Sequence, residues 1–171
     1  MQEKIANRRG FLAGVAVSGV ALPSLAASPK PNETFEYEIV RTEEEWRAQL
    51  SESDYSILRE GGTEAPHSSP LEKESRTGNY HCKGCGLHTY TSEWKVPLGK
   101  GWVFFGHSVP NSVLMDVDLE ANYTMSPDSL ITAIEGHCRR CGSHLGHILT
   151  VDRVLVHCIN GAALTFSSTE A

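Results

Sequence analysis

Gly136-His-Cys-Arg-Arg-Cys-Gly-Ser-His-Leu-Gly-His147 is the stretch on which the fold turns. Cys138 and Cys141 form a Cys-x2-Cys knuckle, able to present two thiolates to one ion. The matching half stands upstream in Tyr80-His-Cys-Lys-Gly-Cys-Gly86, at Cys82 and Cys85. Two knuckles make a closed tetrahedral four-sulfur site, the usual structural zinc arrangement. One knuckle alone is a weak signal; two, each followed by glycine, are a strong one. The alternatives are two disulfides or a redox pair. His81 and His137 precede the knuckles, but four sulfurs already complete a zinc shell. The gap between the knuckles, residues 86–137, is far longer than in a small zinc finger. The metal is therefore expected to tie distant parts of one domain together.

Working outward, 171 residues are enough for one domain with a sizeable core, so the metal clamps a fold rather than replacing one. The formal charge is −6; residues 1–26 carry Lys4, Arg8 and Arg9 against Glu3, so the remainder stands at −8. No basic patch or basic aromatic stripe is present, which disfavours nucleic-acid binding. Of five cysteines, four belong to the knuckles and Cys158 is left over. A leftover thiol is a candidate reactive group. Its plainer reading is a small buried hydrophobe.

The first residues look like an address. Arg8-Arg9-Gly10-Phe11-Leu12 resembles the twin-arginine export motif. The apolar run Phe11–Ala27 is broken by Gly14, Gly19 and Pro23 and is short for a membrane span. Residues 1–26 are thus expected to be a signal peptide cleaved before Ala27, with an uncleaved anchor as the alternative. Residues 27–36 read as a linker and residues 37–171 as the folded domain. That route carries folded proteins to the periplasm, which would protect four thiols from an oxidising compartment until zinc holds them. No other stretch is long and apolar enough to span a bilayer.

Thr42-Glu-Glu-Glu45 is a capping box, with Trp46 and Leu50 on one face of the helix it starts. Ser51-Glu-Ser-Asp54 opens a second helix, which Gly61-Gly62 stops. From Thr63 onward Gly and Pro punctuate at short intervals. Trp102–Phe105, Val113–Met115, Leu130–Ala133 and Leu145–Val156 suggest strands. The reading is a mainly β, antiparallel domain with short N-terminal helices. In Val154-Leu-Val-His-Cys-Ile-Asn160, taken as the last strand, Val156, Cys158 and Asn160 share one face and His157 the other. An Asn on a buried sheet face needs a partner, which points to a polar site around Cys158.

Arg59-Glu-Gly-Gly-Thr-Glu64, Tyr80–Cys85, Gly99-Lys-Gly-Trp102, Cys138–His147 and Cys158-Ile-Asn160 occur in that order. Together they resemble the methionine-R-sulfoxide reductases of the MsrB (SelR) family, from about Thr42 to Phe166. The resemblance implies two antiparallel sheets with N-terminal helices, clamped by a structural zinc remote from the active site. It implies Cys158 as the nucleophile and His144 and His147 as the imidazoles that position and protonate the sulfoxide oxygen. Asn160 matches the polar partner on the nucleophile's strand; Trp102 and Phe105 match the rings that bind the substrate. The chemistry suits these types. A thiolate is the reactive form of Cys, the sulfoxide oxygen gains charge and needs a proton, and the methyl group needs an apolar wall. The product is methionine, and the Cys158 thiol is left as a sulfenic acid.

The chain departs from the family pattern. Gly101-Trp-Val-Phe-Phe105 stands where Gly-Trp-Pro-Ser-Phe is common, and Val156-His157 where Arg-Tyr is usual. Lys100 occupies a position where many members carry a resolving cysteine, so an external thioredoxin-like reductant is expected. The expected partners are methionine-sulfoxide-containing proteins, for a monomer outside the cytoplasm. The rival is an impaired module of the same fold that binds a peptide or small ligand without turnover. A third reading, a thiol oxidoreductase using one Cys-x2-Cys pair, is also open.

Overall fold

A computed structural model describes residues 35–118 and 133–170. The expected signal peptide, most of the expected linker and Leu130–Thr132 lie outside the described residues. No helix among the described residues is long and apolar enough to cross a membrane.

Two helices lead. In α1 (Glu43–Gln49) the Thr42 hydroxyl accepts from Glu45 N while Thr42 N donates to the Glu45 carboxylate at 2.8 Å, completing the capping box. In α2 (Glu52–Glu60) Ser51 caps the N-terminus and Gly61, at φ 70°, ends it in the left-handed region that suits glycine. Trp46, Tyr55 and Leu58 are the buried faces of this pair.

Among the described residues eight strands follow: β1 (Gly78–Cys82), β2 (His88–Thr91), β3 (Val103–Phe105), β4 (Val113–Asp118), β5 (Ala133–Cys138), β6 (His144–Val151), β7 (Val154–Ile159) and β8 (Leu164–Ser168). They form two antiparallel sheets, β2-β1-β8 and β3-β7-β6-β5-β4. The segment 145–156 is a hairpin rather than one strand, turned by Asp152 and Arg153, both at positive φ. β7 is not the last strand; β8 follows and pairs with β1.

Aromatic rings join the sheets. Phe105 of β3 stacks on Tyr90 of β2 at 4.3 Å and meets Tyr80 of β1 edge-on at 5.0 Å. All three rings are fully buried. Val103, Leu145, Ile159 and Leu164 fill the space around them. This core occupies one face of the five-stranded sheet and leaves the other face for a site.

Candidate functional site

The knuckles come together where the helices meet the sheets. Cys82 ends β1 and Cys138 ends β5, and each turn closes on the first cysteine's carbonyl, which accepts from Gly86 N at 2.7 Å and Gly142 N at 2.8 Å. Both glycines have positive φ, near 70°. The helices grip the turns: Gln49 donates to Gly84 O at 2.7 Å, Lys83 pairs with Asp54 at 2.6 Å, and Arg59 donates to Cys141 O at 3.1 Å. The four sulfurs lie within 4.8 Å of one another, with Cys82–Cys141 at 3.8 Å and Cys85–Cys138 at 3.5 Å. A zinc tetrahedron with Zn–S of about 2.3 Å has sulfurs about 3.8 Å apart. The donor set therefore fits the ion with little adjustment.

Cys158 lies elsewhere, on the outer face of the five-stranded sheet. Strand register builds the site. Asp116 of β4 faces Glu135 of β5, Glu135 faces His147 of β6, His147 faces Cys158 of β7, and Cys158 faces Phe104 of β3. These five residues form one row across five strands. Side chains opposite each other in adjacent strands are in contact range, so the register alone puts an imidazole and a ring beside the thiol. Gly146 lets β6 and β7 approach: a Cβ there would run into the Cys158 carbonyl oxygen.

Each imidazole has a carboxylate. His144 Nδ1 and Glu135 Oε1 are 2.6 Å apart, and His147 Nε2 and Asp118 Oδ2 are 2.9 Å apart. The two rings meet edge-on at 5.2 Å. The His144 bond holds the Glu135 carboxyl below its ordinary range. His144 Nε2 is sealed from solvent and bonds to no described residue. Neither carboxylate was foreseen from the sequence: Asp118 comes from β4, 29 residues before His147, and Glu135, nine residues before His144, reaches it only through the pairing of β5 with β6.

A cavity of about 260 Å³ opens over the row. Trp102, Phe104, His147, Cys158, Asn160 and Lys100 line it. Burial, and then the nearby Glu64 charge, push the Cys158 thiol up to about 12. His144 sits behind His147 rather than on the cavity wall.

One expected residue lies away from the cavity, and another is held in place by backbone. Phe105 is not a cavity wall. β3 alternates, so Phe105 turns into the core beneath Tyr90 and Phe104, its neighbour, faces Cys158. Asn160 lines the cavity, yet its amide is engaged by backbone: it accepts from Glu64 N at 3.0 Å and donates to Gly62 O and Leu145 O. Glu64 completes the clamp by accepting from Gly161 N and Ala162 N. Asn160 therefore fixes the loop that walls the cavity. His157, as expected, points away, its Nδ1 3.1 Å from the Tyr90 hydroxyl. Val156 is fully buried.

Two sheets, a four-cysteine clamp and one separate thiol among imidazoles define the class. Residues 50–168 match the SelR domain, and the chain belongs to that family, the MsrB proteins. A peptide methionine sulfoxide reductase MsrB of Leifsonia xyli subsp. xyli is 38% identical over 139 residues, spanning 77% of this chain and 92% of that protein. The peptide methionine sulfoxide reductase B2, chloroplastic, of Arabidopsis thaliana is 34% identical over 169 residues, spanning 94% of this chain and 71% of that protein. An MsrB of Methanosarcina mazei is 35% identical over 138 residues, spanning 77% of this chain and 91% of that protein.

Proposed function

We propose that the chain is a zinc-clamped peptide methionine sulfoxide reductase that uses Cys158 as its nucleophile. The observation that carries this is the position of Cys158. It alone of the five cysteines stands outside the clamp, and it opens into a cavity with His147, Trp102 and Phe104. The Cys158 sulfur attacks the sulfoxide sulfur. Negative charge builds on the oxygen, which is protonated on the imidazole side. The oxygen passes to Cys158, leaving methionine and a Cys158 sulfenic acid. Two thiol groups of an external reductant, thioredoxin-like in kind, then restore Cys158 and release water.

Glu135 and Asp118 orient the imidazoles in this scheme. Trp102 and Phe104 supply the apolar walls for the methyl end. Zinc, when bound by Cys82, Cys85, Cys138 and Cys141, cross-links β1 to β5 and takes no part in the chemistry. The twin-arginine-like leader supports export as a folded monomer to the periplasm, and N-terminal sequencing of the secreted chain tests it.

The decisive assay incubates the purified zinc-loaded chain with dabsyl-methionine-R-sulfoxide and dithiothreitol, beside Cys158→Ser. Turnover that vanishes in the variant supports the reductase. Equal background rates in both would favour a ligand-binding module that has lost turnover. Zinc content near one per chain by mass spectrometry supports the clamp; zinc-free folded protein would remove it.

A further inference from the structure

The cavity that holds Cys158 poses an electrostatic problem. Burial opposes ionisation of the thiol, and so does Glu64, which the Gly161 and Ala162 amides hold in place. β6 presents His147, tied to Asp118, with His144 and Glu135 behind it. β3 presents only Phe104. Sulfur attack places negative charge first on Cys158 and then on the sulfoxide oxygen. In a partly dry cavity such charge needs a positive partner.

Among the described residues lining the cavity, Lys100 carries the only fixed positive charge. It sits between Gly99 and Gly101, at φ 64° and 103°. Its Nζ lies 3.2 Å from Asp152 Oδ2. Asp152 stands at the tip of the β6–β7 hairpin, the hairpin that carries both His147 and Cys158. Arg153 beside it is exposed and is not part of the cavity wall. Both side chains of the pair face water, at 48% and 65% exposure. Such a pair is screened and weakly held, so the ammonium leaves it readily.

We infer that Lys100 is a mobile cation for the Cys158 cavity, and that Asp152 competes for it. The ammonium exchanges the Asp152 carboxylate for the negative charge that forms on Cys158 and on the substrate oxygen. Asp152 thereby sets how much of the time the cavity is positively charged. This inference rests on the reductase reading for its purpose, but the charge exchange is measurable without turnover.

The test is the rate at which iodoacetamide alkylates Cys158, read at that residue by mass spectrometry across the neutral and alkaline range. The proteins are zinc-loaded wild type, Lys100→Met, Lys100→Arg, Asp152→Asn and the double variant Lys100→Met with Asp152→Asn. Lys100→Met is expected to slow alkylation near neutral pH about tenfold, the equivalent of one pKa unit. Its profile moves to higher pH, and Lys100→Arg restores it. Asp152→Asn speeds alkylation and moves the profile to lower pH. The double variant behaves as Lys100→Met, because Asp152 acts only through Lys100. If Asp152→Asn speeds alkylation equally with and without Lys100, or if Lys100→Met matches wild type, the inference is overturned. Turnover that needs Cys158 but ignores Lys100 would overturn this inference alone. Lys100-dependent alkylation in a chain without turnover would overturn the reductase reading alone.

Discussion

Replacing Phe105 by alanine separates the core face of β3 from its cavity face. The Phe105 ring is fully buried, stacked on Tyr90 at 4.3 Å and edge-on to Tyr80 at 5.0 Å. No cavity described around Cys158 reaches it, so its loss leaves a void between the two sheets. Phe→Ala changes at such sites cost about 3–5 kcal/mol. For a domain of this size, roughly 3–4 °C of melting temperature goes with each kcal/mol, so a fall of about 10–20 °C is expected. Phe104→Ala differs. Its ring is also buried, at 2% exposure, but it borders the cavity over Cys158, so part of the void merges with existing space and the loss is mainly transfer free energy, about 1.5–3 kcal/mol. It also strips a wall from the substrate cavity. Thermal unfolding with zinc in excess, together with kcat/KM measured well below both transitions, gives the comparison. Phe105→Ala should melt lower by the larger amount yet keep most of its kcat/KM; Phe104→Ala should melt lower by about 5–12 °C and lose kcat/KM. A Phe105→Ala protein that melts like wild type and has lost its turnover would refute the assignment of faces.

Other perturbations follow from the same geometry. Glu135→Gln removes the carboxylate that orients His144, and kcat should fall by about 10²-fold, towards the lower end of a lost acid–base contribution, with little change in melting temperature. Removing zinc with a chelator should lower the melting temperature of the whole domain in one transition, since the helices grip the same turns the metal does; an unchanged melt would show the clamp to be dispensable. The pH dependence has a definite sign. Cys158 is raised above its ordinary 9.0 to about 12 when folded. The unfolded chain therefore releases its thiol proton first as pH rises through that window, and stability falls. Urea unfolding at mildly and strongly alkaline pH should show a smaller loss in Cys158→Ser than in wild type; equal losses would place the thiol outside the buried cavity.

What the sequence made legible was local. Each knuckle needs two cysteines and a glycine at positive φ within five residues, and Gly86 and Gly142 stand where that turn demands. The helices announced themselves through Thr42, Ser51 and Gly61, whose capping contacts are all within a turn. β1, β2 and β8 were missed because Gly-Asn-Tyr-His-Cys, His-Thr-Tyr-Thr and Leu-Thr-Phe-Ser-Ser are short and rich in polar residues, with no long alternation. The 145–156 run looked continuous because Asp152 and Arg153 turn the chain without glycine. Choosing between Phe104 and Phe105 needed the pairing of β3 with β7, a contact more than fifty residues apart in sequence. Asp118 and Glu135 were not read as partners because their roles depend on the pairing of β4, β5 and β6.

The row from Asp116 to Phe104 has a consequence for how such a domain tolerates change. No loop holds these groups in place; their spacing is that of the backbone ladder itself. A single residue inserted within β6 would swing His147 towards the core and carry Leu149 and Val151 with it, since alternate positions point to opposite sides. Extra residues in a connection between strands would leave the row intact. Length is thus free to drift in the links and is pinned inside the strands, so neighbouring members of such a lineage should differ at the hairpin tips long before they differ in the number of rungs.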